Sequence, residues 1–380
     1  MSASERSSSA GNRNAQRDTV NDTPSLVHHR RSELVSCSST PRRLPPGKLP
    51  ASLLSAFLAR HAPRDPAVVL GGALGEDAAV LDVGAPELLV VKTDPITLAS
   101  ADAARYLLAV NANDLVVTGA EPRWLLVTVL LPEGCSETEA EALLEGVGEA
   151  CDQARIALVG GHTEVTVGLD RPVLVGCLLG TAPRHRVFRT AGARVGDAIL
   201  VTGGVAIEGT AILAREHSER LRAAGVAPEV VSRAASWLEQ PGISVLQAAR
   251  ELWSVSGLHA LHDVTEGGLA TALHELAEAA RVGLRIYRRR IPVLPECARI
   301  AEALGLEPLG LLGSGAILAS MDPAAVPEAL ERLRQRGILA AVIGEVRPEA
   351  EGRYLVLEDG REAPLPQFAR DELARFLESA

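Results

Sequence analysis

The sequence predicts an α+β fold of two sandwich-like domains behind an N-terminal tail, and three observations carry that prediction. Helix and strand patterns alternate without the regular βαβ rhythm of a doubly wound sheet. A chain of 380 residues, 47% hydrophobic and 23% charged, can bury two cores without disulfide or metal staples. Composition changes set the boundaries: a disordered tail over 1–46, an N-terminal domain over 47–180, a C-terminal domain over 181–350, and a final strand and helix within 351–380.

Taken in order, 49–62 places Leu49, Leu53, Leu54, Phe57 and Leu58 on one helical face. Segments 67–70, 78–81 and 88–91 are short strands, each broken by Gly, Asp or Pro. The spacing predicts a helix over 101–118, stopped by Gly119, and then a strand over 124–131 that ends at Pro132. Ser136 opens a helix to Ala154, with Glu139 completing a capping box. Strands 156–159 and 172–179 flank a Gly160-Gly161 turn. Beyond the 181–196 boundary come strand 198–201 and helices 207–215, 242–252 and 269–280. Strands 284–287, 316–319, 340–343 and 354–357 follow, with helix 326–335 among them and a terminal helix over 367–377.

Composition also excludes function classes. A net charge of −10, aromatics at 3% and no basic block argue against nucleic acid as a partner. No apolar run reaches the ~18 residues a membrane helix needs. The five cysteines, Cys37, Cys135, Cys151, Cys177 and Cys297, are odd in number and form no CxxC, which fits a reduced, cytoplasmic chain; Cys151 and Cys177 read as core fillers. The Ser/Arg-rich start, with His28-His29-Arg30-Arg31, has no apolar segment of a secretory signal and reads as disordered.

Four polar clusters interrupt the apolar pattern: Gly75-Glu76-Asp77, Lys92-Thr93-Asp94, Asn111-Ala112-Asn113-Asp114 and Gly160-Gly161-His162-Thr163-Glu164. Asp114 shares a helical face with Leu107, Val110 and Val117, where an ionised carboxylate is costly unless a cation answers it. Metal or nucleotide contact is one answer, and a hydrogen-bonded aspartate inside a dimer interface is the other. Asp77 and Asp94 sit in turns beside apolar strands, and Glu76 either points to solvent or shares a cation with Asp77. Mg²⁺ with phosphate oxygens suits such isolated carboxylates. The only two lysines, Lys48 and Lys92, lie in this company in a chain otherwise using arginine, and lysine is the point charge suited to phosphate. Gly160-Gly161 is either a tight turn or a phosphate nest. In the second half, Thr202-Gly203-Gly204 before a helix is a generic anion site, and Thr265 is a candidate cap beside His262-Asp263.

The stretches GEDAAVLD, VKTDPI, AVNANDLVVTGAEPRWLL, VGGHTEVT, RTAGARVGDAILVTGG and HDVTEGGLATAL together resemble the aminoimidazole ribonucleotide (AIR) synthetase superfamily. That superfamily also holds formylglycinamidine synthetases, selenophosphate synthetases, thiamine-monophosphate kinases and the hydrogenase-maturation carbamoyl dehydratases. The likeness spans about 47–350 and leans toward the dehydratases and their AIR-synthase-related kin. It implies a two-domain PurM-like fold whose N-terminal domains pair into a dimeric β-barrel, with a C-terminal α/β sandwich. It implies ATP and Mg²⁺, with the metal on Asp77, Asp94 and Asp114. Nucleotide contacts would come from these residues and Asn111, Gly160, Gly161, His162 and Thr163, and catalytic roles from Lys48, Lys92, His162 and Asp263. The expected activity is phosphorylation of an amide, acid or phosphate oxygen on a small molecule or a partner protein, by a homodimer. Thiamine-monophosphate kinase and a non-catalytic nucleotide-binding scaffold are the alternatives. The dehydratases work on a cysteine at their own C-terminus, whereas no cysteine follows Cys297, and Glu266 stands where they carry an arginine.

Overall fold

The computed structural model describes residues 48–97 and 102–378; the expectations for the 1–46 tail, Gly47 and Cys37 lie outside the described residues. The first half runs α1 (Ala51–Arg60), β1 (Val68–Leu70), β2 (Ala79–Leu81), β3 (Glu87–Ile96), α2 (Ala103–Val117), β4 (Glu121–Pro132), α3 (Glu137–Ala154), β5 (Ala157–Thr166) and β6 (Val173–Pro183). The second half opens with β7 (Ala198–Thr202), α4 (Ile207–Glu216), α5 (Ser218–Ala223), α6 (Pro228–Ala235) and α7 (Leu246–Leu252). It continues with β8 (Leu258–Asp263), α8 (Gly268–Ala280), β9 (Val282–Tyr287), α9 (Pro295–Leu304), β10 (Ile317–Met321) and α10 (Val326–Gln335). It ends with β11 (Ala340–Pro348), β12 (Arg353–Val356), β13 (Glu362–Pro364) and α11 (Glu372–Glu378).

The strands form two sheets, ordered β1-β2-β3-β6-β4-β5 and β13-β12-β9-β11-β7-β10-β8. Burial alternates along the whole of β6, the mark of a strand covered on one face only. Leu125, Leu174 and Leu178 on that covered face are fully buried, as is Leu115 of α2. Neither sheet closes on itself: β1 and β5 are the edges of the first. Among the described residues no helix is long and apolar enough to cross a membrane.

Several expectations change. α2 is buried nearly all round, so the apolar face proposed for Asp114 is no narrow stripe; Leu107, Leu115 and Val117 are all within 1% exposure. β3 and β4 outrun their apolar cores, and Asp94 lies inside β3 and not in a turn. Gly160 and Gly161 are not a turn either. They follow a bulge within β5, where pairing with β4 steps from Leu125↔Leu158 to Leu126↔Gly160. A Cβ on Gly161, at φ +151°, would lie 1.8 Å from the Val127 carbonyl oxygen, so close strand pairing requires the glycine. Cys177 lies on the uncovered face of β6, whereas Cys151 is core as expected. α5, α6, β8, α9 and β13 were not anticipated. The capping box at α3 is present, Ser136 Oγ accepting from the Glu139 N–H at 3.2 Å and the Glu139 carboxylate accepting from the Ser136 N–H at 2.8 Å.

Candidate active site

Three segments of the first half meet the end of β8. Lys92 and Asp94, alternate residues of β3, point to the same face as the polar groups of α2. Lys92 Nζ stands 3.1 Å from Asp114 Oδ1 and 3.3 Å from Asp94 Oδ2. Asn111 pins the strand: its Oδ1 accepts from the Asp94 N–H at 3.0 Å, and its amide donates to the Asp94 and Leu107 carbonyls at 3.3 and 2.9 Å. Gly176, opposite Asp94 on β6, makes room, since a Cβ there would come 2.7 Å from Asn111 Nδ2.

Asp77, in the loop before β2, reaches across to the second half. Its Oδ1 is 2.7 Å from His262 Nδ1, and its Oδ2 accepts from the Thr190 hydroxyl at 3.4 Å. His262 Nε2 lies 3.1 Å from Glu275 Oε2 on α8, and Glu275 Oε1 is 3.0 Å from Lys48 Nζ. With both ring nitrogens facing carboxylates, His262 donates twice and is an imidazolium. Burial alone would pull its pKa down, but Asp77 and Glu275 outweigh burial and hold it well above the usual range. Glu275 shows the converse: burial pushes it up, yet the His262 hydrogen bond and the Lys48 charge bring it to about 2. Glu76 neither points to solvent nor shares a cation with Asp77. Its buried carboxylate accepts from Arg189 Nε and from the Thr190 N–H, each at 3.3 Å.

The floor is acidic and buried. Asp114 and Asp263 are 3% and 2% exposed, and Oδ2 of each has no hydrogen-bond partner among the described residues. Burial, with Asp77 adding, raises Asp263 to about 7 against the opposing pull of His262 and Lys92. Burial also raises Asp114 well above the carboxylate range, aided by Asp263 and opposed by Lys92. Lys92 is lowered by burial, but the carboxylates of Asp114 and Asp94 override this and hold it above its ordinary value. The Lys92 and Asp94 side chains, 21% and 30% exposed, open this floor to solvent.

Asp77, His262 and Asp263 bring one ligand atom each within 4.8 Å of one another. His262, donating from both nitrogens, is not available as a ligand in this arrangement. The carboxylates are. Among the described residues, Asp77, Asp94, Asp114, Asp263 and Glu275 are set against the cations Lys92, His262 and Lys48, which leaves two negative charges uncompensated when all are ionised. Two orphaned, buried carboxylate oxygens in such a surplus fit a hard divalent cation.

The fourth predicted cluster is elsewhere. Asp94, Gly176, Val127 and Gly161 form one row across β3, β6, β4 and β5, so Gly161 is three strand spacings, about 14 Å, from Asp94. His162 is 63% exposed on β5 and pairs with Glu164 at 3.1 Å; Gly160 and Thr163 are likewise exposed. Thr265 does not cap α8. Gly267 occupies the cap position, and its N–H is taken at 2.7 Å by Asp371, just before α11. Glu275 and Thr190 were missed by sequence reasoning; Thr190 lies in RTAGARVGD, which was noted only as a stretch.

Comparison with known proteins places this chain in a family. Residues 75–182 match the model of the AIR synthase related protein N-terminal domain, and 194–356 that of its C-terminal domain. A carbamoyl dehydratase HypE of Cupriavidus necator is 30% identical over 76% of this chain and 78% of its own length. A selenide, water dikinase of Paraburkholderia xenovorans is 32% identical over 82% of this chain and 93% of its own. The crystal structure of E. coli HypE superposes with a TM-score of 0.66 at 25% identity, covering 86% of this chain and 99% of that one. The fold, the paired domain matches and these relatives agree: the chain belongs to the AIR synthase related protein family.

Proposed function

We propose that the chain is an ATP- and Mg²⁺-dependent phosphoryl-transfer enzyme acting on an amide, acid or phosphate oxygen of a small molecule or partner protein. The observation that carries the reading is the pairing of Lys92 with Asp94 and Asp114 beside the cluster of Asp77, His262 and Asp263, with two buried carboxylate oxygens unpartnered. The relatives are named as a carbamoyl dehydratase and a dikinase. Phosphoryl transfer to oxygen serves both chemistries, because an amide oxygen once phosphorylated can leave.

A divalent cation on Asp77, Asp94 and Asp114 would neutralise phosphate charge during transfer. The chain's own groups do the rest. Lys92, oriented at the mouth by Asp94 and Asp114, meets the phosphates as a point charge, and Lys48 places a second ammonium at the rim beside Glu275. His262 fixes the orientation of Asp77. Asp263, held near neutrality, accepts the proton of the attacking acceptor, the role a base matched to working pH performs best. Asp263→Asn should bind nucleotide yet lose ADP formation by about 10²–10⁴-fold. Full turnover in that variant removes Asp263 as the base.

The homodimer reading rests on β5. This ten-residue edge strand is exposed along its length, with Leu158, Val159 and Val165 at 46, 53 and 61% and Leu126 of β4 at 39%. An apolar unpaired edge invites a second copy. Pairing there would put Gly160, Gly161, His162 and Thr163 at the subunit boundary, where their nucleotide contacts are proposed.

A further inference from the structure

The aspartate centre lies on one face of α2, and a cavity of about 250 Å³ opens on the other. Arg105, Leu108, Ala109 and Ala112 recur at the spacing of a single helical face and form one wall. Asp114 lies nearly half a turn round the helix from them, so the body of α2 separates the two sites. Ala150 and Ala154, late in α3, line a second wall, and Ser244, Leu246 and Arg250 of the second half line a third. Clefts between the halves of a chain are common places for small ligands.

Polar ties hold these walls in place. Fully buried Asn113 donates from Nδ2 to the Ile243 carbonyl at 2.8 Å and accepts at Oδ1 from the Val245 N–H at 2.9 Å. The segment carrying Ser244 is thereby fastened to α2. Arg250 grips Glu121, at the start of β4, through Nε at 3.1 Å and Nη2 at 2.5 Å. Arg105 Nη1 donates to Glu239 at 3.1 Å. Alanines on both helices leave the space between the tied walls unfilled.

We propose that this cavity is a second ligand site, which takes a small organic carboxylate with a flat apolar body. The charge of the lining selects the ligand. Arg105 and Arg250 are its only charged residues, their side chains 42% and 50% exposed at the rim. Their acids, Glu239 and Glu121, lie outside the lining. A guanidinium carries five N–H donors; among the described residues Arg105 gives one to Glu239 and Arg250 gives two to Glu121. Donors of both remain for a further carboxylate, while the body of the ligand lies against Leu108, Ala112 and Leu246. An organic cation would instead meet two guanidinium groups with no acid in the lining. The site stands apart from the phosphoryl-transfer reading, since no aspartate of that centre lines it.

The test is titration calorimetry of the full chain with cinnamate and with its neutral counterpart, cinnamyl alcohol. Wild type is compared with Arg105→Met, Arg250→Met and Ala109→Leu. Arg299→Met, an exposed arginine paired with Glu302 on α9, is the control. Wild type should bind cinnamate at least tenfold more tightly than the alcohol. Each of the Arg105 and Arg250 variants should weaken cinnamate at least fivefold, and Ala109→Leu, which fills the space, should abolish binding. Arg299→Met should bind as wild type does. No cinnamate binding by wild type, equal binding of acid and alcohol, or undiminished binding in the Arg105 and Arg250 variants overturns the site. So does undiminished binding in a folded Ala109→Leu protein, or a comparable loss in Arg299→Met, which would mean diffuse attraction to surface arginines. The Arg105 and Arg250 variants change half-exposed side chains, so they decide the site even where Ala109→Leu does not fold.

Discussion

Replacing Asp114 with asparagine separates a metal-holding carboxylate from a structural one. The wild-type side chain is 3% exposed, with Oδ1 3.1 Å from Lys92 Nζ and Oδ2 unpartnered. Asparagine keeps the volume and a hydrogen-bonding oxygen. It relieves the burial of an unanswered carboxylate oxygen, about 1–3 kcal/mol, and gives up a charge-assisted contact to Lys92 of about 1.5–3 kcal/mol. Lys92 retains Asp94 at 3.3 Å. The two changes nearly cancel, so the apo variant should stay within about 1 kcal/mol of wild type, a few degrees of melting temperature at most. The ligand response should not cancel. Saturating Mg-ATP at about 100 Kd stabilises wild type by about 2.7 kcal/mol, and a variant that has lost a metal ligand should show little of that shift. Differential scanning fluorimetry of both proteins, with and without Mg-ATP, reads both quantities. An Asp114→Asn protein that is destabilised by several kcal/mol yet keeps the full Mg-ATP shift would refute the metal role.

Gly176→Ala should drive Asn111 from Asp94, since the added Cβ meets Asn111 Nδ2 at 2.7 Å; about 1–3 kcal/mol of stability and roughly tenfold of Mg-nucleotide affinity should go, measured by denaturant titration and calorimetry. His262→Gln should cost about 3–5 kcal/mol by leaving the buried Asp77 without its cation and Glu275 with Lys48 alone, and a thermal melt checks it. The apo protein should melt progressively lower from pH 5 to pH 8. Asp263 and Glu208 have folded pKa values raised to about 7 and Asp371 to about 6, so their stabilisation is complete below the unfolded carboxylate range and is lost as pH climbs through those values. His262, raised as a base, acts in the same direction, while Glu275, lowered to about 2, destabilises only below about pH 4.5. Melts in metal-free buffer across that range would show a flat profile if the centre were not coupled. Val165→Asp on β5 should yield monomer in light scattering, whereas an unaltered oligomer would clear β5 of that role.

Much of the first half was legible because its signals are local. Ser136 and Glu139 specify a cap by spacing alone, and Gly119 ends α2 as read. Asp77, Asp94 and Asp114 stood out as candidates because isolated acids are conspicuous in apolar surroundings, and the fold brings three of the four clusters together. What failed depends on pairing partners remote in sequence. Gly160-Gly161 looks like a turn until β4 is laid against it, and Asp94 looks like a turn residue until β6 extends β3 past Lys92. Thr265 does not cap α8 because Gly267 takes the cap position, its N–H held by Asp371, more than a hundred residues away. Glu275 sits in His274-Glu275-Leu276-Ala277-Glu278, where nothing local separates it from Glu278; only the fold hands it His262 and Lys48. α9 was legible and passed over, with Pro295 at its first position and Gly305 just past its end.

The central claim is that a divalent cation joins nucleotide to the aspartates around Lys92. Titration calorimetry of ATP into the full chain, in excess Mg²⁺ and then in excess chelator, tests it most directly. Binding should be measurable with Mg²⁺ and weaker by at least a hundredfold, about 2.7 kcal/mol, without it. Equal affinity in both buffers would contradict the account, because Asp77, Asp94 and Asp114 would then hold no metal to meet the phosphates.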